Sequence, residues 1–377
     1  MLNRVIRALA IAAPLLFSAA SPAVEGVTDD RIVLGQSAAL SGPAEALGRE
    51  MRLGAQLYFD QVNASGGVLG RRIELVSLDD GYEPDRTIAN TMKLIEHEKV
   101  FALFGYVGTP TSKAALPIFT QEGVPFIGAF TGAELLRDPF NRLIFNIRAS
   151  YYDETAKIVD SFTALGMSKV AVFYQNDAYG QAGLAGVERA MQAKNLKLVA
   201  TGTVERNTTD VAAAVKAITA AQPDIVVMIS AYRSCAAFIK AMREAGSFAN
   251  FYNVSFVGSR QLADELGDQG IGVGISQVMP FPWNNTLGVV REYRKLLEPT
   301  GNPESFTSME GYIAAKVMVE GLRRAGRDLT RDKLIAALET MNRFDVGGFD
   351  IGFTPKNHAG SRYVDLTIIK KNGKFMH

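Results

Sequence analysis

Short apolar runs alternate with amphipathic segments along most of the chain. The run Ile225-Val226-Val227-Met228-Ile229 is apolar on both faces, as expected of a strand that helices cover on each side. Between residues 44 and 63, apolar residues recur at helical spacing and leave a polar opposite face. Alternation of this kind predicts α/β architecture with mostly parallel sheets. The predicted strands are 31–38, 72–78, 100–104, 125–129, 143–147, 169–174, 196–201, 224–229 and 251–257.

The alternation starts again near residue 150. Residues 31–42 and 169–180 each consist of a strand and a polar turn, and each opens a long series of alternating units. No stretch rich in Pro, Gly or Ser separates the two halves, so extended crossings are expected rather than a flexible tether. We therefore predict two similar, doubly wound, parallel-sheet lobes, which suits a chain of 377 residues at about 150 per domain.

Composition excludes several classes of function. The 40 Lys and Arg nearly balance the 39 Asp and Glu, which argues against a dedicated nucleic-acid binder. One cysteine, Cys235, and three histidines without ligand-like spacing predict neither a metal site nor a cofactor. Phosphate-binding and nucleophile-elbow motifs are absent, so an enzyme is not expected. Asp79 and Asp80 follow a strand, where adjacent side chains point to opposite faces, so a turn or cap role is favoured over acid–base catalysis.

The first residues have the features of a targeting segment. Arg4 and Arg7 precede an apolar run over residues 8–20, and small residues then lead to Ala23. This order predicts a secretory signal, residues 1–23, that is cleaved after its last residue. The apolar run is shorter than the roughly 18–20 residues that a span requires, which disfavours a membrane anchor. No cysteine lies near the cleavage point, so lipid attachment there is not expected.

Polar turns follow several predicted strands at their C-terminal ends, where open α/β sheets bind ligands. One such turn follows the third strand, at residues 105–112, and includes Val107 and Gly108. Thr109 is placed as a helix N-cap, with Pro110 at the first helical position. The free N–H groups of this helix suit a carboxylate, with the threonine hydroxyl as a further donor, although a simple cap explains the same residues.

The turn after the fourth predicted strand repeats this arrangement. Phe130 begins it, Thr131 is placed as a cap, and Gly132 lets the backbone approach closely. Two such donors on neighbouring strands favour a pocket for the anionic end of a ligand. Tyr179 and Tyr232 occupy equivalent strand ends in the second half. They can close over an apolar ligand while hydrogen-bonding its polar end, and core packing is the alternative.

An ordered set of motifs resembles the periplasmic substrate-binding proteins of the branched-chain amino-acid family of ABC transporters, the type I "Venus flytrap" proteins. The motifs are Ile32-Val33-Leu34-Gly35-Gln36, Leu40-Ser41-Gly42-Pro43, Asn63-Ala64-Ser65-Gly66-Gly67-Val68-Leu69-Gly70, Tyr174-Gln175-Asn176-Asp177-Ala178-Tyr179-Gly180 and Glu310-Gly311-Tyr312. The resemblance covers nearly the whole chain after the signal. It implies three hinge crossings, near Asn146, Val278 and Thr354. The N-terminal lobe is then 27–147 plus 279–353, and the C-terminal lobe is 148–278 plus 354–377.

The resemblance also implies how a ligand is held. Its carboxylate lies at the turns of Thr109 and Thr131, and Tyr179 and Tyr232 cover it from the other lobe. Ser255 aligns with an acidic residue that binds the α-amino group in amino-acid binders of the family. Because a neutral serine cannot offset an ammonium charge, this position does not support a classical Leu, Ile or Val ligand. The expected ligand is a small carboxylate, either an amino acid or an aromatic or aliphatic acid without the amine.

Glu310 is a candidate for the missing carboxylate. Residues 307–310 also fit a capping box, and that interpretation is favoured.

Leu47 replaces a loop aromatic that often contacts the ligand in the family, and the small family disulfide cannot form with one cysteine. The candidate ligand-binding residues are Val107, Gly108, Thr109, Phe130, Thr131, Gly132, Tyr179, Tyr232, Ser255 and Glu310.

The function implied by the resemblance is binding without catalysis. A periplasmic, monomeric protein would deliver a small carboxylate-bearing ligand, by hinge closure, to the membrane subunits of an ABC permease. A ligand-sensing receptor subunit of the same fold is the alternative. An exported enzyme is disfavoured because no nucleophile–base set is visible.

Overall fold

The computed structural model describes residues 24–377, so the predicted signal segment, residues 1–23, lies outside the described residues. Within the described range, no helix is both long and apolar enough to cross a bilayer. The α-helices are α1 (Glu45–Ala64), α2 (Pro84–Glu96), α3 (Thr109–Gln121), α4 (Tyr151–Ala164), α5 (Ala178–Ala193), α6 (Ala212–Ala220), α7 (Tyr232–Glu244), α8 (Ser259–Leu266), α9 (Gly288–Leu297), α10 (Phe306–Ala325) and α11 (Arg331–Glu339). The strands are β1 (Arg31–Ala38), β2 (Arg72–Asp79), β3 (Ala102–Phe104), β4 (Phe126–Ile127), β5 (Ile144–Phe145), β6 (Val170–Gln175), β7 (Leu198–Val204), β8 (Ile225–Ile229), β9 (Asn250–Asn253), β10 (Gly274–Gln277), β11 (Phe344–Asp345), β12 (Asp350–Ile351), β13 (Asp365–Ile369) and β14 (Phe375–Met376).

The strands form two main sheets. The first has the order β2-β1-β3-β4-β5, with parallel pairing throughout. The second has the order β14-β13-β10-β9-β8-β6-β7, in which β13 and β14 are antiparallel additions at one edge. Its parallel part, read from β7 to β10, repeats the order of the first sheet. The predicted pair of similar α/β lobes is therefore confirmed, and β11 and β12 form a separate small hairpin.

The chain passes between the two lobes three times. After β10 it returns to the first lobe, where α10 packs closely on α1. A Cβ atom on Gly54 would lie 1.8 Å from the carbonyl oxygen of Ser308, so this helix contact requires glycine. The chain then crosses back, and β13 pairs with β10 of the second lobe. The residues at which the lobes divide stay a prediction.

Most predicted strands coincide with observed ones, but the ninth is too long. The pattern predicted a strand over 251–257, whereas β9 ends at Asn253 and residues 255–257 form a 3-10 turn. Gly258, with a φ of 81°, then ends the turn and leads into α8. Phe256 of this segment packs against Tyr82, Phe130 and Tyr179 between the lobes rather than within a sheet, although the apolar run resembles a strand in the sequence.

Candidate functional site

The turns after β3 and β4 are hydrogen-bonded to each other at the carboxyl edge of the first sheet. Val107 and Phe130 form a parallel bridge, and Gly108 N donates to the Phe130 carbonyl at 3.2 Å. Gly108 has a φ of 100°, and a Cβ atom there would lie 2.2 Å from the Tyr82 ring. The turn therefore requires glycine, both for its backbone conformation and for the approach of the tyrosine.

The two threonines of these turns do not act as helix caps, so that prediction is wrong. Gly108 is the N-cap of α3, and Thr109 is its first residue. The Thr109 hydroxyl oxygen lies 2.7 Å from that of Thr131 instead. Thr131 in turn donates to the Tyr151 hydroxyl at 3.3 Å and accepts from Ala133 N at 3.2 Å. Both hydroxyls lie at the carboxyl edge of the first sheet, as predicted, and they form a buried hydrogen-bonded chain with the Tyr151 hydroxyl.

Gly132 permits a close backbone approach, as predicted. Tyr151 N donates to the Gly132 carbonyl at 2.7 Å, and a Cβ atom on the glycine would lie 2.6 Å from the tyrosine ring. Tyr151 is the first residue of α4, which begins with a capping box formed by Ser150 and Asp153. Burial raises the pKa of Tyr151 to about 12, so its hydroxyl remains neutral and able to donate.

Tyr179 reaches the space between the lobes from the first turn of α5. Its N–H donates to Asp177, the N-cap of that helix, at 2.9 Å. The ring is fully buried, with its centroid 4.7 Å from that of Phe256 and 5.5 Å from that of Tyr151. Its hydroxyl is buried without a hydrogen-bond partner among the described residues. The Tyr179 hydroxyl can therefore donate a hydrogen bond to a molecule held between the lobes, or accept one from it.

Tyr232, the first residue of α7, is also buried, at 3% exposure. A Cβ atom on Gly258 would lie 2.7 Å from Leu47 and 3.4 Å from Tyr232, so the leucine and the tyrosine meet at this glycine.

Cys235 lies one turn further along α7, and its thiol donates to the Ser230 carbonyl at 3.4 Å. Burial raises the pKa of this thiol far above its usual range, so it stays protonated.

A buried ionic cluster lies between the lobes, and the sequence analysis missed its central residue, Arg148. This side chain is fully buried and follows β5. Its Nη2 donates to Glu154 Oε1 at 3.0 Å and also to the Ser255 hydroxyl. The second oxygen of Glu154 accepts from Ser255 N at 2.8 Å and from the Ser276 hydroxyl at 2.6 Å. Ser255 therefore contacts an acidic residue, but that residue is supplied by α4.

Glu310 belongs to the same cluster, and the favoured capping-box interpretation is wrong. Ser305 is the N-cap of α10 and accepts from Ser308 N at 3.0 Å. Glu310 lies in the second turn of the helix, is 3% exposed, and places Oε2 3.5 Å from Arg148 Nη1. Burial raises the pKa of Glu310 to about 7, and the nearby guanidinium offsets only part of that effect.

Tyr82 is a further residue between the lobes that the sequence analysis did not select. Its hydroxyl accepts from Gln175 Nε2 of the second lobe at 3.2 Å. Asp80 holds the Tyr82 backbone, with a φ of 66°, by accepting from its N–H at 2.8 Å. Asp79 accepts from Gly81 N at 2.9 Å. The predicted turn role of the Asp-Asp pair is therefore confirmed, and the turn positions an aromatic side chain.

The arrangement can hold a small molecule by its polar end and enclose an apolar body. Hydroxyls and a guanidinium supply donors, while the rings of Phe130 and Phe256, from opposite lobes, approach with centroids 5.2 Å apart. Over residues 24–377, no group of three or more His, Cys, Asp or Glu side chains is placed to hold a metal ion. The residues brought together here offer hydrogen bonds, charge and apolar contact to a bound molecule.

Known proteins resemble this chain over most of its length. The family profile described as "Periplasmic binding protein" matches residues 31–374. A Leu/Ile/Val-binding protein homolog 7 from Brucella suis is 26% identical over 337 residues, which cover 84% of this chain and 82% of that protein.

Two solved structures are similar in both fold and sequence. A possible leucine/isoleucine/valine-binding protein from Rhodopirellula baltica superposes with a TM-score of 0.88 at 35% identity, covering 95% of this chain and 98% of that one. A substrate-binding periplasmic protein from Ralstonia solanacearum superposes with a TM-score of 0.87 at 32% identity, covering 92% and 99%. Fold and sequence therefore agree over almost the whole length of these chains.

Proposed function

Because this chain belongs to the periplasmic binding protein family, in its type I, branched-chain amino-acid branch, we propose that it captures a small carboxylate-bearing solute in the periplasm. It acts as a monomer and presents the solute to the membrane subunits of an ABC permease. Members of this family are substrate-binding proteins, and this chain is not an enzyme. The predicted signal over residues 1–23 supports export.

The observation that best supports a carboxylate ligand is the set of buried donors at the edge of the first sheet. Thr109, Thr131 and Tyr151 bring three hydroxyls together beside the N-terminus of α3. The free N–H groups and the positive dipole end of that helix favour an anion at the same place. Donors held in advance on rigid elements lose little entropy when the ligand binds.

Hinge closure encloses the ligand. The first lobe supplies the threonine turns, and the second lobe supplies Tyr179 and Phe256 as an aromatic cover. The lobes rotate about the crossings near Asn146, Val278 and Thr354. Since the ligand contacts both lobes only in the closed form, binding shifts the population towards that form.

Titration tests this function. The mature protein is mixed with leucine, phenylalanine, phenylpyruvate and benzoate, and binding is measured by calorimetry and by the rise in melting temperature. Thr109→Val keeps the side-chain shape and removes one donor, so the affinity for the ligand should fall about 5- to 30-fold. Thr120→Val is the matched control, since this hydroxyl lies at the exposed end of the same helix.

Binding by none of the four compounds would contradict a carboxylate ligand of this size. Unchanged affinity in Thr109→Val would contradict the placement of the carboxylate at the end of α3. Loss of affinity in Thr120→Val as well would trace the effect to the stability of the helix rather than to the hydroxyl.

A further inference from the structure

The buried guanidinium of Arg148 has more hydrogen-bond donors than its partners in the structure use. One of its nitrogens, Nη2, is engaged by Glu154 and Ser255. The other two, Nε and Nη1, are buried and have no hydrogen-bond partner among the described residues. An unpaired buried donor is destabilising, and more so when it is charged. The closed site therefore lacks an acceptor in hydrogen-bonding geometry at these two nitrogens.

Glu154 does not supply that acceptor, because its carboxylate is already saturated. Oε1 accepts from Arg148 and, at 3.1 Å, from the Ser255 hydroxyl. Oε2 accepts from Ser255 N and from the Ser276 hydroxyl. With both oxygens doubly engaged, Glu154 fixes the guanidinium in place and has no lone pair left for a ligand ammonium group.

Glu310 is held much more loosely. Its carboxyl makes a 3.5 Å ionic contact with Arg148 and accepts no hydrogen bond from the described side chains. Three other charged groups act on it: Arg148 and the half-buried Arg137 favour its ionised form, and Glu154 opposes it. Of these two acids, Glu310 is the one that could take an ammonium group, and it is also the group that an incoming anion would displace from the guanidinium.

The surroundings of Arg148 are aromatic. Its Cζ lies 5.1 Å from the centre of the Phe130 ring and 5.9 Å from that of Tyr151. Phe256 extends this wall, with its ring centre 5.2 Å from that of Phe130 and 4.7 Å from that of Tyr179. The unpartnered hydroxyl of Tyr179 is one more group able to donate to an oxygen of the ligand. A flat apolar group can pack against such a wall of rings.

From this geometry we propose that Arg148 binds the ligand carboxylate together with the hydroxyls of Thr109, Thr131 and Tyr151, and that the ligand is an aromatic monocarboxylate without an α-amino group. The proposal rests on the proposed function and names the substrate class of the same site. The carboxylate accepts from Nε and, in place of Glu310, from Nη1. The ligand ring packs against the wall formed by Phe130, Phe256 and Tyr179, and Glu154 keeps the guanidinium oriented. Arg148 thus replaces an acidic ammonium partner as the specificity-determining group.

The charges around Glu310 predict a different proton uptake for anionic and for zwitterionic ligands. Arg148 and Arg137 together offset Glu154 and Glu310 when both acids are ionised. An anionic ligand adds one negative charge, which is compensated when Glu310 takes a proton from solvent. A zwitterionic amino acid adds no net charge and needs Glu310 ionised opposite its ammonium group. The two ligand classes therefore differ in proton uptake.

Calorimetry in two buffers of different ionisation enthalpy measures that uptake. For benzoate at pH 8, we expect about one proton taken up per ligand bound, and the affinity should fall by about tenfold per pH unit above the pKa of Glu310. For phenylalanine, if it binds, the uptake should be near zero. Uptake near zero for benzoate, together with an affinity that does not change with pH, would overturn the proposal.

Glu310→Gln is the decisive variant, because it keeps the side-chain shape and cannot ionise. We expect it to bind benzoate at pH 8.5 at least tenfold more tightly than the wild type, with no proton uptake. Glu304→Gln is the matched control: this residue pairs with Arg294 at 3.0 Å, precedes α10, and should leave the pH dependence unchanged. Arg148→Lys should weaken benzoate binding more than tenfold, because lysine cannot reproduce the guanidinium contacts.

The outcomes separate this proposal from the proposed function. If leucine or phenylalanine binds tightly and Glu310→Gln abolishes that binding, the proposed function stands and Glu310 is an ammonium partner, so the present proposal fails. If no carboxylate or amino acid binds the wild-type protein, the proposed function fails and this proposal fails with it. Both are supported if the wild type binds benzoate with proton uptake and Glu310→Gln binds it more tightly at pH 8.5 without proton uptake.

Discussion

Arg206 of the second lobe donates to Glu83 of the first lobe at 2.8 Å, across the cleft. The same guanidinium donates to Asp177 of its own lobe at 3.0 Å, which fixes its direction. Asn207, the next residue, donates to the Gly81 carbonyl at 3.0 Å. Since these cross-lobe bonds require the lobes to be closed, they stabilise the closed form over the open one.

Removing this ion pair should weaken ligand binding without touching the ligand. Arg206→Ala should lower the affinity about 2- to 5-fold, mainly through faster dissociation, because a partly exposed ion pair contributes about 0.2–1 kcal/mol. Stopped-flow fluorescence measures the dissociation rate. Arg31→Ala is the control, since Arg31 pairs with Glu74 within the first lobe. Equal dissociation rates in Arg206→Ala and the wild type would show that the pair does not stabilise closure.

Enlarging Gly132 should damage the binding site directly. In Gly132→Ala the new Cβ atom must displace the Tyr151 ring, so we expect the ligand affinity to fall at least tenfold. We expect the free energy of unfolding to fall by about 1–3 kcal/mol. Calorimetry and urea unfolding measure the two effects. Gly288→Ala is the control, because the nearest atom to its Cβ position lies 3.3 Å away. Wild-type affinity in Gly132→Ala would contradict the role of Tyr151 in the site.

The unpartnered hydroxyl of Tyr179 should contribute to binding and not to folding. In Tyr179→Phe we expect an unchanged or slightly higher melting temperature of the free protein, since a buried unpaired group is removed. The affinity for the ligand should fall about 3- to 10-fold. Tyr106→Phe should behave in the opposite way, because the Tyr106 hydroxyl lies 3.1 Å from that of Thr91 inside the first lobe. A lower melting temperature with full affinity in Tyr179→Phe would contradict this assignment.

Asp80 should make stability fall as the pH rises. Burial raises the pKa of this carboxyl to about 6, above the value of about 3.9 in an unfolded chain. Between these values the folded state binds more protons than the unfolded state, so the stability due to this group is present at low pH and is lost as the pH rises through about 6. Asp80→Asn removes this loss.

Urea unfolding at pH 4 and pH 7.5 measures the effect. The free energy of unfolding of Asp80→Asn, relative to the wild type, should shift in favour of the variant by roughly 2–3 kcal/mol between the two pH values. Ser37→Ala removes only a neutral donor to Asp80, which lies at 2.7 Å, and should keep the falling profile of the wild type. A constant difference between Asp80→Asn and the wild type would contradict a raised pKa.

The sheets and the position of the threonine turns at the carboxyl edge could be predicted because both depend on local patterns. The apolar run at 225–229 and the repeat of strand and polar turn near residue 150 are visible over a few residues, and they correctly indicated two lobes. The turns of Thr109 and Thr131 could be located in the same way. The hydrogen-bond partners of these threonines could not be predicted, because the partner of each hydroxyl is the other threonine, 22 residues away.

The ionic cluster could not be predicted because its members come from distant parts of the chain. Arg148 follows a short apolar strand, in the same position as the two threonine turns, and that position was the available signal. Its partner Ser255 is 107 residues away, and Glu310 arrives on a helix that folds back onto the first lobe. Local spacing therefore favoured a capping box for Glu310, whereas tertiary packing turned its carboxyl towards the cleft.

The buried state of Cys235 has a practical consequence. It is the chain's one cysteine, and its thiol is enclosed and protonated, so labelling reagents should leave it unmodified in the folded protein. Cysteines introduced on the two sides of the cleft would then be the reactive thiols, and a fluorophore pair attached there would report lobe distance. Opening and closing could thus be followed in single molecules on an otherwise unaltered protein.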